Sequence, residues 1–376
     1  MIWLWYVFLV FLLLFKVRIF RGDTWNDSNL SLDQTKCFLG FCSVIVMFHH
    51  LAQNTCGPWR DADYIRHGLD IFLNAGYPMV AVFFFCSGFG LYKSIQNKPD
   101  YFKKYLVKRI VPILIPSLIT ELVFVFIRVY NNIPIVFNSP VLRESHETIH
   151  PFIWYIPCIL YLYFLFYLGF GIIKKESLGF SIVAVGIIIY ILFCVCFRYK
   201  AFWYNSLHLF FIGLLFSKYE KKIFGYFKEK YIFKLLFVIF VSIVFWILSE
   251  NSGDIFLSMV GQNDNGDYLF TKDLITSFSQ SLYALSFVFL IYLITMKIRI
   301  TNPILSFFGK ITLEFYLVHG IFVCLFDYCL LLDNVKSLYY IESVPLYVLV
   351  VITLSIPSAY LLNVFDKLIV TKMQHK

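Results

Sequence analysis

Two adjacent histidines, His49 and His50, stand inside the apolar stretch KCFLGFCSVIVMFHHLA at residues 36–52. An ionisable side chain in hydrocarbon is costly and marks a functional site by default. Neighbouring side chains on a helix diverge by about 100°, so one imidazole of the pair faces a given cavity squarely and the other does not. A ring that titrates near neutrality suits a general base that takes a proton from a hydroxyl. The structural alternative is an interhelical hydrogen bond worth about 1 kcal/mol. Adjacent histidines do not share a metal as i, i+4 histidines do, so no metal is expected here.

Two further stretches carry polar groups into apolar surroundings. Residues 83–116, FFFCSGFGLYKSIQNKPDYFKKYLVKRIVPILIP, place Ser87 at the end of an apolar run, followed by a loop rich in Lys and Arg. Such a loop anchors topology, or holds the phosphates of a nucleotide cofactor through Lys103, Lys104, Lys108 and Arg109. Residues 307–320, FFGKITLEFYLVHG, place Thr312, Tyr316 and His319 at i, i+4 and i+7, on one helix face, with Glu314 elsewhere. Glu121 and Asp327 are further acids inside apolar runs and are candidate partners for cations.

The elements that must position these groups are membrane helices. The 376 residues are 60% hydrophobic, 20% aromatic and only 15% charged, against about a quarter charged in soluble domains. The fold class expected is all-α, a polytopic transmembrane bundle. Apolar runs of span length fall at about 1–17, 36–55, 73–95, 109–130, 151–173, 178–197, 201–217, 231–249, 273–296, 311–332 and 343–366, eleven in all. The run 201–217 is the weakest, being short and containing His208. With the N-terminus outside, 24 of the 32 Lys and Arg fall on the inside segments, alternating loop by loop as the positive-inside rule requires. The formal charge of +9 is thereby explained by topology, and nucleic acid is not an expected partner. The C-terminus is expected inside.

The first run lacks a basic start and a small-residue cleavage site, so it is expected to be a retained helix. The nine cysteines are scattered and form no zinc or disulfide framework. The polar stretches 53–71, 131–150 and 250–271 are expected as outer loops. No internal repeat or matched pair of broken helices is present, which weighs against a secondary transporter.

Four segments resemble, in order, the acyltransferase-3 family of integral membrane acyltransferases. GFCSVIVMFHHL resembles its opening helix; matching Gly40 to the motif glycine puts the catalytic slot on His50. FFFCSGFGLY with Arg109-Ile110-Val111-Pro112 resembles its second motif and the basic stretch after it. PFIWYIPCILYLYF resembles a third, with Trp154 and Tyr155 in the matched slots. FFGKITLEFYLVHG resembles its late helix, through Gly309, Lys310, Thr312, Tyr316 and His319. One slot departs: Leu39 stands where the family has arginine, and Lys36, one turn earlier, is expected to supply the cation. The family core has ten helices, so residues 1–35 are expected as an added helix and linker, with the acyltransferase-like domain at 36–376.

The resemblance implies transfer of an acyl group, usually acetyl, from cytoplasmic acyl-CoA to a hydroxyl of a saccharide or glycolipid facing outward. Acetyl-CoA is then a co-substrate, with no resident cofactor. His50 would be the base, assisted by His49, Ser87, Tyr316 or His319, and a two-step path through an acylated histidine is equally compatible. Lys36, Lys103, Lys104, Lys108 and Arg109 would hold the CoA phosphates, and Trp154, Tyr155, Glu121 and Glu314 would meet the acceptor. The expected location is a bacterial plasma membrane. The rival is a non-enzymatic saccharide exporter or flippase using the same intramembrane groups as a substrate or proton path.

Overall fold

The computed structural model describes residues 2–60, 62–131, 149–260, 266–329, 335–336 and 339–375. The outer stretch expected at 131–150, with Arg143, lies almost wholly outside the described residues, as do residues 330–332 of the tenth run and Lys376.

Helix dominates because a chain in lipid must satisfy its backbone polar groups within each segment. In chain order the helices are α1 (Trp3–Leu14), α2 (Leu32–Cys56), α3 (Gly76–Asn97), α4 (Tyr105–Arg109), α5 (Val111–Tyr130), α6 (Tyr155–Phe166), α7 (Glu176–Cys196) and α8 (Leu209–Lys218). They continue with α9 (Glu220–Lys228), α10 (Tyr231–Val260), α11 (Gly266–Lys297), α12 (Pro303–Phe308), α13 (Thr312–Leu325) and α14 (Val344–His375). All eleven apolar runs contain helix. Among the described residues eight helical stretches are long and apolar enough to cross a membrane; α1, α8 and α13 are shorter. At 12, 10 and 14 residues these three fall below the roughly 20 of a full crossing.

Two boundaries differ from expectation. The run 201–217 holds only a single turn at Ala201–Trp203 before α8 begins at Leu209. The stretch 250–271, expected as a loop, is mostly helix: α10 continues to Val260 and α11 starts at Gly266. At 1.5 Å per residue helices of 30 and 32 residues run to about 45 Å, so they project beyond a ~30 Å core. Ion pairs fasten this projection, Lys272 to Asp254 at 2.6 Å and Arg198 to Asp267 at 2.8 Å.

The two ends of the bundle have different chemistry. At one end Lys93 pairs with Glu220, Lys218 pairs with Glu176 at 3.1 Å, and Lys297 lies over the ring of Trp25. We call this the basic end. At the other, Arg66 and Arg60 converge on the buried Asp327 at 2.7 and 3.6 Å. The cation partners expected for Asp327 are therefore present.

Helix α1 lies along the back of α2, with Trp5 edge-on to Phe48 and Leu9 and Leu12 buried. Its far end is held by the Tyr6 hydroxyl donating to the Gly68 carbonyl at 2.6 Å. Its basic end leads into a strand, β1 (Val17–Ile19), paired antiparallel with β2 (Ile298–Ile300) in the register Val17↔Ile300. Beside this ribbon the buried Asn302 accepts from the Ile304 and Leu305 amides, capping α12, and donates to the Leu12 carbonyl at 2.6 Å. A second ribbon joins Tyr328–Cys329 to Val335–Lys336.

Glycines set two close helix crossings. A Cβ on Gly40 would strike the Leu305 carbonyl, and one on Gly309 would strike the Lys36 carbonyl, so α2 and α12 touch backbone to backbone. Gly88 of α3 and Gly213 of α8 do the same, against the carbonyls of Phe210 and Phe85.

Candidate active site

The α2 residues Leu39, Ser43 and Val46 are spaced i, i+4, i+7 and line a cavity of about 220 Å³. Its opposite wall is Gly309, just before α13, and Thr312, Leu313 and Tyr316 in the first turns of α13. Tyr155, Ile159 and Tyr163 of α6, Val80 and Phe83 of α3 and Ile113 of α5 close the sides. On both main walls the next residue of the same face is a histidine: His50 four residues after Val46, and His319 three after Tyr316. The two sit side by side, with His50 Nδ1 2.7 Å from His319 Nε2 and the rings nearly parallel at 5.0 Å. They are 269 residues apart in sequence.

The hydrogen bonds order the protons of this pair. His319 Nδ1 is 2.8 Å from the Phe315 carbonyl, which can only accept, so Nδ1 carries the hydrogen. In a neutral ring His319 Nε2 then holds a lone pair and receives the Nδ1–H of His50. The remaining His50 nitrogen, Nε2, is left with its lone pair, as a general base requires.

Phe152 covers the pair. Its ring lies 4.2 Å from that of His50, and a Cβ on Gly320 would collide with it. Its carbonyl accepts the Tyr316 hydroxyl at 2.5 Å. Its amide donates to His150 Nδ1 at 3.2 Å, and His150 is fully buried against Phe124 at 4.4 Å between ring centroids. Sequence reasoning missed His150 and Phe152. The signal was a third histidine, followed directly by Pro151, at the head of the PFIWYIP segment; its position at the edge of a polar stretch disguised it as loop.

The other candidates divide. His49 turns away from His50: Nδ1 donates to the Phe72 carbonyl at 3.1 Å and the ring packs on Gly76. Tyr316 and Tyr155 both line the cavity, their rings 5.7 Å apart, and Ser87 lies beside Tyr155. Trp154 does not line it; the indole packs on Phe202 at 5.3 Å. Glu314 points to α14, where Asn363 donates to it at 2.7 Å. Glu121 is half-buried on α5, two turns before Arg128, and lines no part of the cavity.

At the basic end Lys103, Lys104 and Lys108 are exposed, and Lys103 pairs with Asp100 at 3.6 Å. Arg109 is half-buried as the last residue of α4, where Pro112 prevents α4 and α5 from running on as one helix. Its Nε donates to the Tyr101 hydroxyl at 2.9 Å. Leu39, in the departing slot, lines the cavity; Lys36 is half-buried one turn nearer the basic end, with no ion-pair partner among the described residues. Among the described residues no group of three or more His, Cys, Asp or Glu is placed to hold a metal ion.

A bundle of apolar helices enclosing an imidazole pair one turn beyond the lining of an apolar cavity defines a multi-pass membrane protein. The acyltransferase domain of the acyltransferase-3 family matches residues 29–364, nearly the whole chain, and the chain belongs to that family. The match opens three residues before α2 and closes within α14, so it takes in both histidines and every wall of the cavity. No curated protein and no solved structure matches.

Proposed function

We propose that this membrane acyltransferase moves an acetyl group from cytoplasmic acetyl-CoA to a hydroxyl of a cell-envelope saccharide or glycolipid, with His50 as general base. The observation that carries the proposal is the His50–His319 bond, which leaves a lone pair on His50 Nε2, one helical turn beyond the cavity-lining Val46. The acyl arm of the donor occupies that cavity. His50 Nε2 takes the proton from the acceptor hydroxyl, the oxygen attacks the thioester carbonyl, and the C–S bond breaks. The CoA thiolate leaves and receives the proton from His50. Proton transfer by a positioned base is worth about 10²–10⁴-fold.

His319 holds His50 in the reactive tautomer and spreads the charge that forms on it, the part an orienting group takes in a triad. Tyr316, fastened to the Phe152 carbonyl, shapes the wall where the thioester lies. The basic end faces the cytoplasm by the charge rule, which puts the N-terminus outside and the C-terminus inside a bacterial plasma membrane. Lys36, at the cavity's basic side, meets the anionic donor in place of the arginine that Leu39 replaces.

The test is acetyl transfer in membranes supplied with labelled acetyl-CoA, read by mass analysis of the envelope polysaccharide. Gain of one acetyl unit per modified sugar, lost in His50→Ala while the protein is still made, is the expected result. An unchanged glycan with altered export would favour the flippase and overturn the proposal.

A further inference from the structure

A second hollow, a cleft of about 380 Å³, opens at the basic end and lies outside the chamber described above. Its walls carry the rings of Tyr101, Phe102, Tyr92 and Phe170. Two ammonium groups line it, Lys98 at the end of α3 and Lys174 between α6 and α7. Neither has an ion-pair partner among the described residues, whereas the neighbouring cations Lys93, Lys103 and Lys218 are all paired. The cleft has one carboxylate, Glu176, which is bonded to the Tyr92 hydroxyl and neutralised by Lys218 at 3.1 Å. Its balance is therefore cationic. Unpaired ammonium groups beside aromatic faces suit a ligand with phosphates and a flat base.

The cleft is joined to the chamber by a thin aromatic partition. Tyr101, a cleft residue, receives the Nε–H of Arg109 and lies 5.8 Å from the ring of Tyr105. The Tyr105 hydroxyl donates at 3.2 Å to the carbonyl of Tyr163, a chamber residue. Along the same stretch of chain Tyr163 faces the chamber and Phe170 the cleft, about 10 Å apart by helical rise. Between them α6 widens into a π-helical segment, Tyr167–Ile172, a local form often found at functional sites. There Gly169 lets the chain lie against Gly179 of α7.

We infer that this cleft binds the adenosine 3′-phosphate 5′-diphosphate end of acyl-CoA, with Lys98 and Lys174 on its phosphates. The aromatic rings carry the adenine, and the pantetheine arm passes Arg109 into the apolar chamber. The exposed lysines of the 103–108 loop then act as a collecting field rather than as the seat. This rests on the acyl-CoA reading of the chamber, and it places the nucleotide on residues that reading does not use.

The test uses the full chain in phosphatidylcholine nanodiscs and two measurements. The first is binding of adenosine 3′,5′-bisphosphate by calorimetry. The second is KM and kcat for acetyl-CoA. Lys98→Ala and Lys174→Ala are each expected to weaken nucleotide binding and raise KM about tenfold, the worth of one charge-assisted contact, with kcat within about twofold. Lys221→Ala and Lys222→Ala, on α9 and lining neither hollow, serve as controls for lost basic charge.

Acetyl transfer with an unchanged KM in both cleft variants would overturn the cleft and leave the acyltransferase reading standing. Nucleotide binding lost in the cleft variants of a protein that transfers no acetyl group would uphold the cleft and sink the reading. A larger loss in Lys103→Ala or Lys104→Ala than in the cleft variants would overturn the inference. Displacement of the nucleotide by phosphatidylglycerol added to the nanodiscs, with cleft variants altering only that lipid's effect, would assign the site to a lipid phosphate and overturn it too.

Discussion

Helices α2 and α10 are both long apolar spans, yet 67% of the apolar window of α2 is buried against 11% of that of α10. Helix α2 carries His50, Ser43 and Asn54 within that burial, with His49 half-buried against Gly76, and meets α12 backbone to backbone. Helix α10 turns Phe233, Phe237, Phe240 and Trp246 outward and buries only four residues, Tyr231, Ser242, Ser249 and Gly253. The more polar span is therefore the central one, and the more apolar span is the wall. Lipid accepts hydrocarbon without shape, whereas polar groups must be met by partners at fixed places.

The sharpest way to break this contrast is to remove the polar groups of α2 and α13. His50→Ala is expected to cut acetyl transfer by about 10³-fold with the protein still inserted, measured as rate per amount of purified enzyme. His319→Ala is expected to cost about 10²-fold, because His50 loses the acceptor that sets its tautomer. Equal accumulation and unchanged rate in either variant would remove the chamber's chemistry from this pair.

Steric changes come next. Gly40→Leu and Gly309→Leu place a side chain inside a backbone contact and should destabilise the fold by about 3 kcal/mol, read as a fall in detergent Tm. Gly90 and Gly225 face open space, and Gly→Ala there is expected to stabilise by about 0.5–1 kcal/mol. Filling the chamber is a finer test. Leu313→Phe should raise KM for longer acyl donors about tenfold more than for acetyl-CoA, since the wall then meets their added methylenes. At the small end, Phe240→Leu and Ile243→Val on the exposed face of α10 should change stability by less than about 0.5 kcal/mol.

Much of this was legible in the residues. Apolar length located the long helices but not the short α4, α9 and α12, and the spacing of Thr312, Tyr316 and His319 placed them on one face. What spacing along one helix cannot say is which neighbour lies opposite. The divergence of His49 from His50 followed from helical periodicity, but the partner of His50 was found only across 269 residues. Glu314 stands out as an acid in hydrocarbon, and Trp154 by its slot in the family resemblance. Spacing alone does not show that Asn363 meets Glu314 or that Phe202 meets Trp154. The α10–α11 extension was misread because Asn, Gly and Asp favour turns in isolation, while here ion pairs and the continuing helix override that preference.

The β1–β2 ribbon and the His50–His319 bond share a property that bears on how the protein is made. Each joins a segment from the first sixth of the chain to one from its last quarter. A chain inserted into the membrane from its N-terminus therefore fastens α1 and α2 early only to each other, to residues 68–72 and to α3, and leaves His50 without its partner for most of synthesis. The chamber closes only when α12 and α13 arrive and the ribbon zips beside them. Truncation before residue 300 removes α12 and α13 and leaves His50 without His319.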